Sequence, residues 1–254
     1  MYCVVKKLLA DTMTLMVFFG CTFIAFGPSL AMFVFTVMAY PLRIILLVVG
    51  AFFWLISLLF SALLWLTVVP LKEQLAFALV FSVLFQEIFR IALFKLLHKS
   101  ESGLDEALTD DEKRSIANHK LSYVSGFGFG LMCGLFSVVN ILSSSIGPAN
   151  VGINGSPSNF YIVSSFFANC IVLLHTFWNV IVFHLLKHSK YVKVGSVLCM
   201  HMLVSCLSLM NKQSNLNFIS LIVAYVVLFV SSWWAFVIAG GSLRNAKAVI
   251  MCSS

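Results

Sequence analysis

Glu87 and Arg90 stand three residues apart in the string QEIFR, in the middle of an otherwise apolar stretch. That spacing puts both side chains on one face of a helix, where carboxylate and guanidinium neutralise one another. An ionisable group in hydrocarbon costs at least ~2.5 kcal/mol, so the pair is expected to face protein, as a buried polar cluster that is structural or turned to a partner. Gln86 is adjacent. Two histidines, His175 and His201, fall near the middles of two later apolar stretches. Imidazole can serve as acid, base or metal ligand. A metal centre fits poorly, because the neighbouring cysteines Cys170 and Cys199 lie about 140° and 200° around their helices from the histidines. The seven cysteines of the chain include no CxxC pair, and most lie inside apolar runs as small packing residues. No metal and no cofactor are expected. A polar contact between the two histidine-bearing helices, worth ~1 kcal/mol, is the better physical reading.

Proteolysis inside a membrane needs either two aspartates or a nucleophile with a base. The four aspartates, Asp11, Asp105, Asp110 and Asp111, all lie outside the expected spans, so the chain alone offers no intramembrane aspartyl dyad. Ser125, followed by Gly126, could be paired with His201 in a loose imitation of the rhomboid serine proteases. That alternative asks for glycine two residues before the serine, where Tyr123 stands, and for glycine after the histidine on its helix, where none follows. It also places Ser125 near one membrane face and His201 at mid-depth. A seven-span receptor matches in number only: no DRY-type triplet ends the third span and no NPxxY ends the seventh.

The elements that must position these groups follow from composition. Of 254 residues, 61% are hydrophobic and 10% charged, a balance that makes the bilayer the expected solvent. A spanning helix needs about 20 mainly apolar residues. Runs of that kind cover roughly 13–38, 42–69, 75–97, 121–142, 160–186, 191–209 and 218–239, which predicts an all-α bundle of seven spans in one membrane domain over 1–254. Gly27 and Pro28 predict a kink in the first span. Lys and Arg concentrate in alternate connections: Arg43, the segment from Lys95 to Lys120, the segment from Lys187 to Lys193, and Arg244 with Lys247. Those connections are therefore cytosolic, with the N-terminus lumenal or extracellular and the C-terminus cytosolic. Lys6 and Lys7 argue weakly against this. The sequon Asn154-Gly155-Ser156 falls on the lumenal side by this count, though Pro157 directly after it disfavours glycosylation. The net charge of +7 is membrane topology rather than affinity for nucleic acid.

In the fourth span, YVSGFGFGLMCG sets Gly126, Gly130 and Gly134 four residues apart. On a helix each step advances about 40°, so the three form one narrow bare stripe. Another backbone can approach closely there, in the same bundle or in another subunit. Gly128 lies on roughly the opposite face, and Ser125 reads as a small packing residue.

The strings FFGCTFIAFGPSL (from Phe18), PLRIILLVVGAFFWLISLL (from Pro41), QEIFR, YVSGFGFGLMCGLFSVVNIL (from Tyr123), LLHTFW (from Leu173) and WAFVIAGGSLR (from Trp234) together resemble the anterior-pharynx-defective family, the scaffold subunits of gamma-secretase. The resemblance runs in order over most of the chain; residues before about Val17 extend beyond it. It implies a non-catalytic multi-pass subunit of endoplasmic reticulum, Golgi and plasma membrane. Its implied partners are presenilin, nicastrin and the presenilin enhancer subunit, with presenilin supplying the aspartates that process type I membrane proteins such as Notch and amyloid-precursor-like substrates. It also implies assembly roles for Gly126, Gly130, Gly134, His175 and His201, and a structural role for the segment containing Glu87 and Arg90.

Overall fold

Hydrocarbon offers no partner to a backbone amide, so each apolar run must close its own hydrogen bonds by coiling. The computed structural model describes residues 2–68, 75–107, 119–145, 160–209 and 217–241. Among them the long elements are α1 (Tyr2–Met32), α2 (Pro41–Thr67), α3 (Leu75–Ala107), α4 (Lys120–Ser144), α5 (Phe160–Lys187), α6 (Tyr191–Ser208) and α7 (Asn217–Ile238). All seven are long and apolar enough to cross a membrane, over 15–37, 41–67, 76–100, 120–144, 160–187, 191–208 and 218–238. These bounds lie within three residues of the expected spans. Asp110, Asp111 and the sequon at Asn154 lie outside the described residues.

Two local features have clear sequence causes. α1 continues through Pro28, and its departure from α geometry comes one turn later, as a π-helical turn over Phe33–Val37. There Thr36 meets the Tyr123 hydroxyl at 3.0 Å, and Arg43 donates to the Thr36 carbonyl, so the π turn is tied to α2 and α4. Pro41 opens α2 at a position where its missing N–H has no helical partner to lose. Between α5 and α6 the chain reverses in three residues. Ser189 takes a left-handed φ of 55°, and the amide of Lys190 returns to the Leu185 carbonyl at 2.8 Å, which caps α5.

α5 is the axle of the bundle. In its span 72% of residues are buried, against 17–28% in α1, α2, α3, α6 and α7. It packs against α4, α7 and α1, while α4 is sandwiched between α5 and α2, and α3 joins α2 to α6. Ridges of Phe, Leu and Val on the outer helices, such as Phe23, Phe35, Phe52, Ile222 and Phe229, are left facing outward, where lipid is as good a solvent as protein.

Candidate functional site

The polar residues singled out in three separate spans meet in one layer. α3 brings Glu87 and Arg90, α5 brings His175, and α6 brings His201; their exposures are 6%, 0%, 2% and 4%. Nη2 of Arg90 donates to Nδ1 of His175 at 2.7 Å and lies 3.4 Å from Oε1 of Glu87. The same carboxylate oxygen accepts from Nδ1 of His201 at 2.7 Å. A guanidinium only donates, so His175 must accept through Nδ1 and carry its ring proton on Nε2. A carboxylate only accepts, so His201 carries a proton on Nδ1. The hydrogen bonds therefore run His175, Arg90, Glu87, His201 across three helices, with one negative and one positive group at the centre cancelling.

Aromatic groups close the layer. The two imidazole rings meet edge to face with centroids 4.9 Å apart and planes at 89°. Arg90 lies 5.2 Å from the Phe129 ring centroid and 5.9 Å from that of Trp178, within the range at which an aromatic face attracts a cation. Trp178, itself buried, donates Nε1–H to the Ser231 hydroxyl at 3.0 Å and so ties α7 to the layer. The expected contact between His175 and His201 thus exists as a ring contact. Their hydrogen bonds go to α3, crosswise, which the spacing within each span could not show.

The glycine stripe is covered from within the chain. A Cβ at Gly130 would lie 2.5 Å from the Val172 carbonyl oxygen and 3.0 Å from Cβ of His175. One at Gly134 would overlap the Val172 side chain and come to 3.3 Å from the Ala168 carbonyl oxygen. One at Gly126 would overlap Asn179. All three face α5, so of the two readings left open by the sequence, packing inside this bundle is the one the geometry has. Gly130 also sits directly beneath His175, so the helix approach and the polar layer are one construction.

Gly128 serves a second close approach on the other side of α4. A Cβ there would fall on the Leu47 carbonyl oxygen, and a Cβ at Gly50 would fall on the Ser125 carbonyl oxygen. The two glycines let α2 and α4 touch backbone to backbone. Gly50 escaped the sequence reading because it is a single glycine in its span, with no periodic companion to mark it.

Ser125 is fully buried and engaged. Its hydroxyl donates to the Leu121 carbonyl at 2.9 Å and accepts from Nδ2 of Asn179 at 3.1 Å; Asn179 also donates to the Ser122 carbonyl at 2.7 Å. His201 is bonded to Glu87 instead. The serine–histidine pairing that a rhomboid-type hydrolase needs is not formed, and nothing else supports that alternative.

A family model described as Aph-1 protein matches residues 16–242. The chain is 46% identical over 249 residues to the gamma-secretase subunit Aph-1b of Danio rerio, covering 94% of this chain and 95% of that one. It is 45% identical over 240 residues to the gamma-secretase subunit Aph-1 of Drosophila melanogaster, covering 94% and 100%. To the gamma-secretase subunit APH-1B of Homo sapiens it is 43% identical over 249 residues, covering 94% and 95%.

Proposed function

The chain belongs to the Aph-1 family, and on that premise we propose that it is the non-catalytic scaffold subunit of a gamma-secretase. In this reading it sits in endoplasmic reticulum, Golgi and plasma membranes with its N-terminus lumenal and its C-terminus cytosolic. It holds presenilin, nicastrin and the presenilin enhancer subunit together. Presenilin performs the cleavage of type I membrane proteins, Notch and amyloid-precursor-like substrates among them.

The observation that carries the non-catalytic part is the closure of the polar layer. Glu87, Arg90, His175 and His201 are hydrogen-bonded to one another with their charges cancelled, and Ser125 is held by Asn179 and its own helix. A general base must reach the proton it abstracts and a nucleophile must be activated by a base. These groups instead fix the positions of α3, α5 and α6, which suits a subunit that works through its outer helix surfaces. Those surfaces are apolar, as contacts to partner spans require.

The test is reconstitution in liposomes with a type I membrane substrate. The chain alone is expected to cleave nothing, the four-subunit complex to cleave, and the three other subunits without this chain to lose cleavage together with complex recovery. Cleavage by the chain alone would overturn the proposal.

A further inference from the structure

Beside the polar layer the bundle is not filled. A cavity of about 80 Å³ is bounded by His175, His201, Trp178, Cys133 and Gln86. A larger one of about 410 Å³ lies among α2, α3 and α6, with Ser61, Ser82, Gln86, Ser205 and Ser208 on its walls beside Trp65 and Val83. Gln86, Ser205 and Ser208 line both, so the two spaces meet there. Gln86 is 8% exposed; its amide nitrogen donates to the Ser82 hydroxyl at 3.3 Å, and its Oε1 is buried with no hydrogen-bond partner. Along α3 it is about 16 Å from Leu75, which is half the thickness of the hydrocarbon core.

The geometry points to a water-filled cleft that enters the bundle between the end of α2, the start of α3 and the end of α6, and carries solvent to the Glu87, Arg90, His175 and His201 layer at mid-membrane. A cavity holds water when it is large enough for a probe sphere and offers two to four polar partners. Both spaces meet the first condition, and the serine hydroxyls with the free Gln86 oxygen meet the second. Hydrocarbon in the same place would leave that amide oxygen desolvated, at about 1–3 kcal/mol. The cleft opens at the end of the bundle opposite the α5–α6 turn, the lumenal end by the charge count. Its consequence is that the polar layer exchanges with the aqueous phase rather than being sealed in lipid. This inference does not depend on the scaffold reading.

Cysteine accessibility tests it on the full chain in its membrane complex. Ser82→Cys, Ser205→Cys and, as a lipid-facing control at similar depth, Val226→Cys are treated with a membrane-impermeant trimethylammonium methanethiosulfonate, and the modified site is read by mass spectrometry. Thiolate forms in water and not in lipid, so the two cleft positions should react at least about tenfold faster than the control. Equal rates would overturn the cleft, whether a lipid chain or a partner's polypeptide fills the space. Hydroxyl-radical footprinting of the unsubstituted complex asks the same without any variant. Cys133, on the inner cavity, should oxidise faster than the buried Cys170; equal oxidation would contradict a water-filled interior.

Discussion

Gly130→Ala adds one methyl group, and the structure says where it goes. The new Cβ would stand 2.5 Å from the Val172 carbonyl oxygen and 3.0 Å from Cβ of His175. The first of these neighbours is backbone of the most buried helix and has no rotamer to change, so α4 and α5 must separate by roughly 1 Å to restore ordinary contact. Overpacking of this kind costs about 1–3 kcal/mol. The same displacement moves His175 away from Arg90, whose hydrogen bond to it is 2.7 Å. Stretching a hydrogen bond to a charged donor past contact distance costs about 1.5–3 kcal/mol more. The expected loss is therefore about 3–5 kcal/mol. The control is Gly195→Ala on α6, where an added Cβ meets nothing within 4 Å and should be neutral or slightly stabilising, since alanine is favoured over glycine in a helix. Thermal unfolding of the purified complex in one detergent, followed by recovery of the partner subunits, compares the two. A Gly130→Ala complex as stable as the Gly195→Ala complex would refute the claim that the stripe sets the distance between α4 and α5.

The ion pair predicts a non-additive cycle: Glu87→Gln or Arg90→Met alone should each cost about 3–5 kcal/mol by stranding a buried charge, while the double variant costs less than their sum. Additive losses in thermal unfolding would mean the two charges do not pair. Gly50→Leu should be as damaging as Gly128→Leu, since both would drive a side chain into facing backbone; a harmless Gly50→Leu would argue against the α2–α4 contact. Ser189→Gly should stabilise the chain by about 1 kcal/mol, because its left-handed φ is costly for any residue with a Cβ, and a lower melting temperature would count against the turn geometry. Ser125→Ala should leave substrate cleavage by the complex intact and lower stability by no more than about 1 kcal/mol, the value of one hydrogen bond. Loss of cleavage with full complex recovery would revive the serine-hydrolase alternative.

The spans were legible because hydrophobic run length is nearly all that a membrane asks of a helix, and the limits from Pro41, Phe160 and Tyr191 onward follow directly from it. The stripe of Gly126, Gly130 and Gly134 was legible from its period, but its partner was not. Spacing within one helix says that a backbone comes close without saying which, and that backbone is Val172 and Ala168 of the same chain. Gly50 and Gly128 stayed hidden because each does its work singly, and only the pairing across two helices gives them meaning. Likewise Glu87 with Arg90, and His175 with His201, look like two separate pairs when read along the chain. Each histidine in fact bonds to α3, because α5 and α6 both pack against that helix and a buried charge takes the strongest partner within reach. The π turn at Phe33–Val37 had no signature of its own; its cause is the contact of Thr36 with Tyr123, 87 residues away.

Native affinity purification of the full-length chain from membranes in mild detergent, with mass-spectrometric identification of what accompanies it, tests the scaffold most directly. The account predicts presenilin, nicastrin and the presenilin enhancer subunit in stoichiometric amounts with the wild-type chain. A Gly130→Leu chain should still insert in the membrane but come down without them. A wild-type chain recovered alone, or a Gly130→Leu chain recovered with all three subunits, would contradict it.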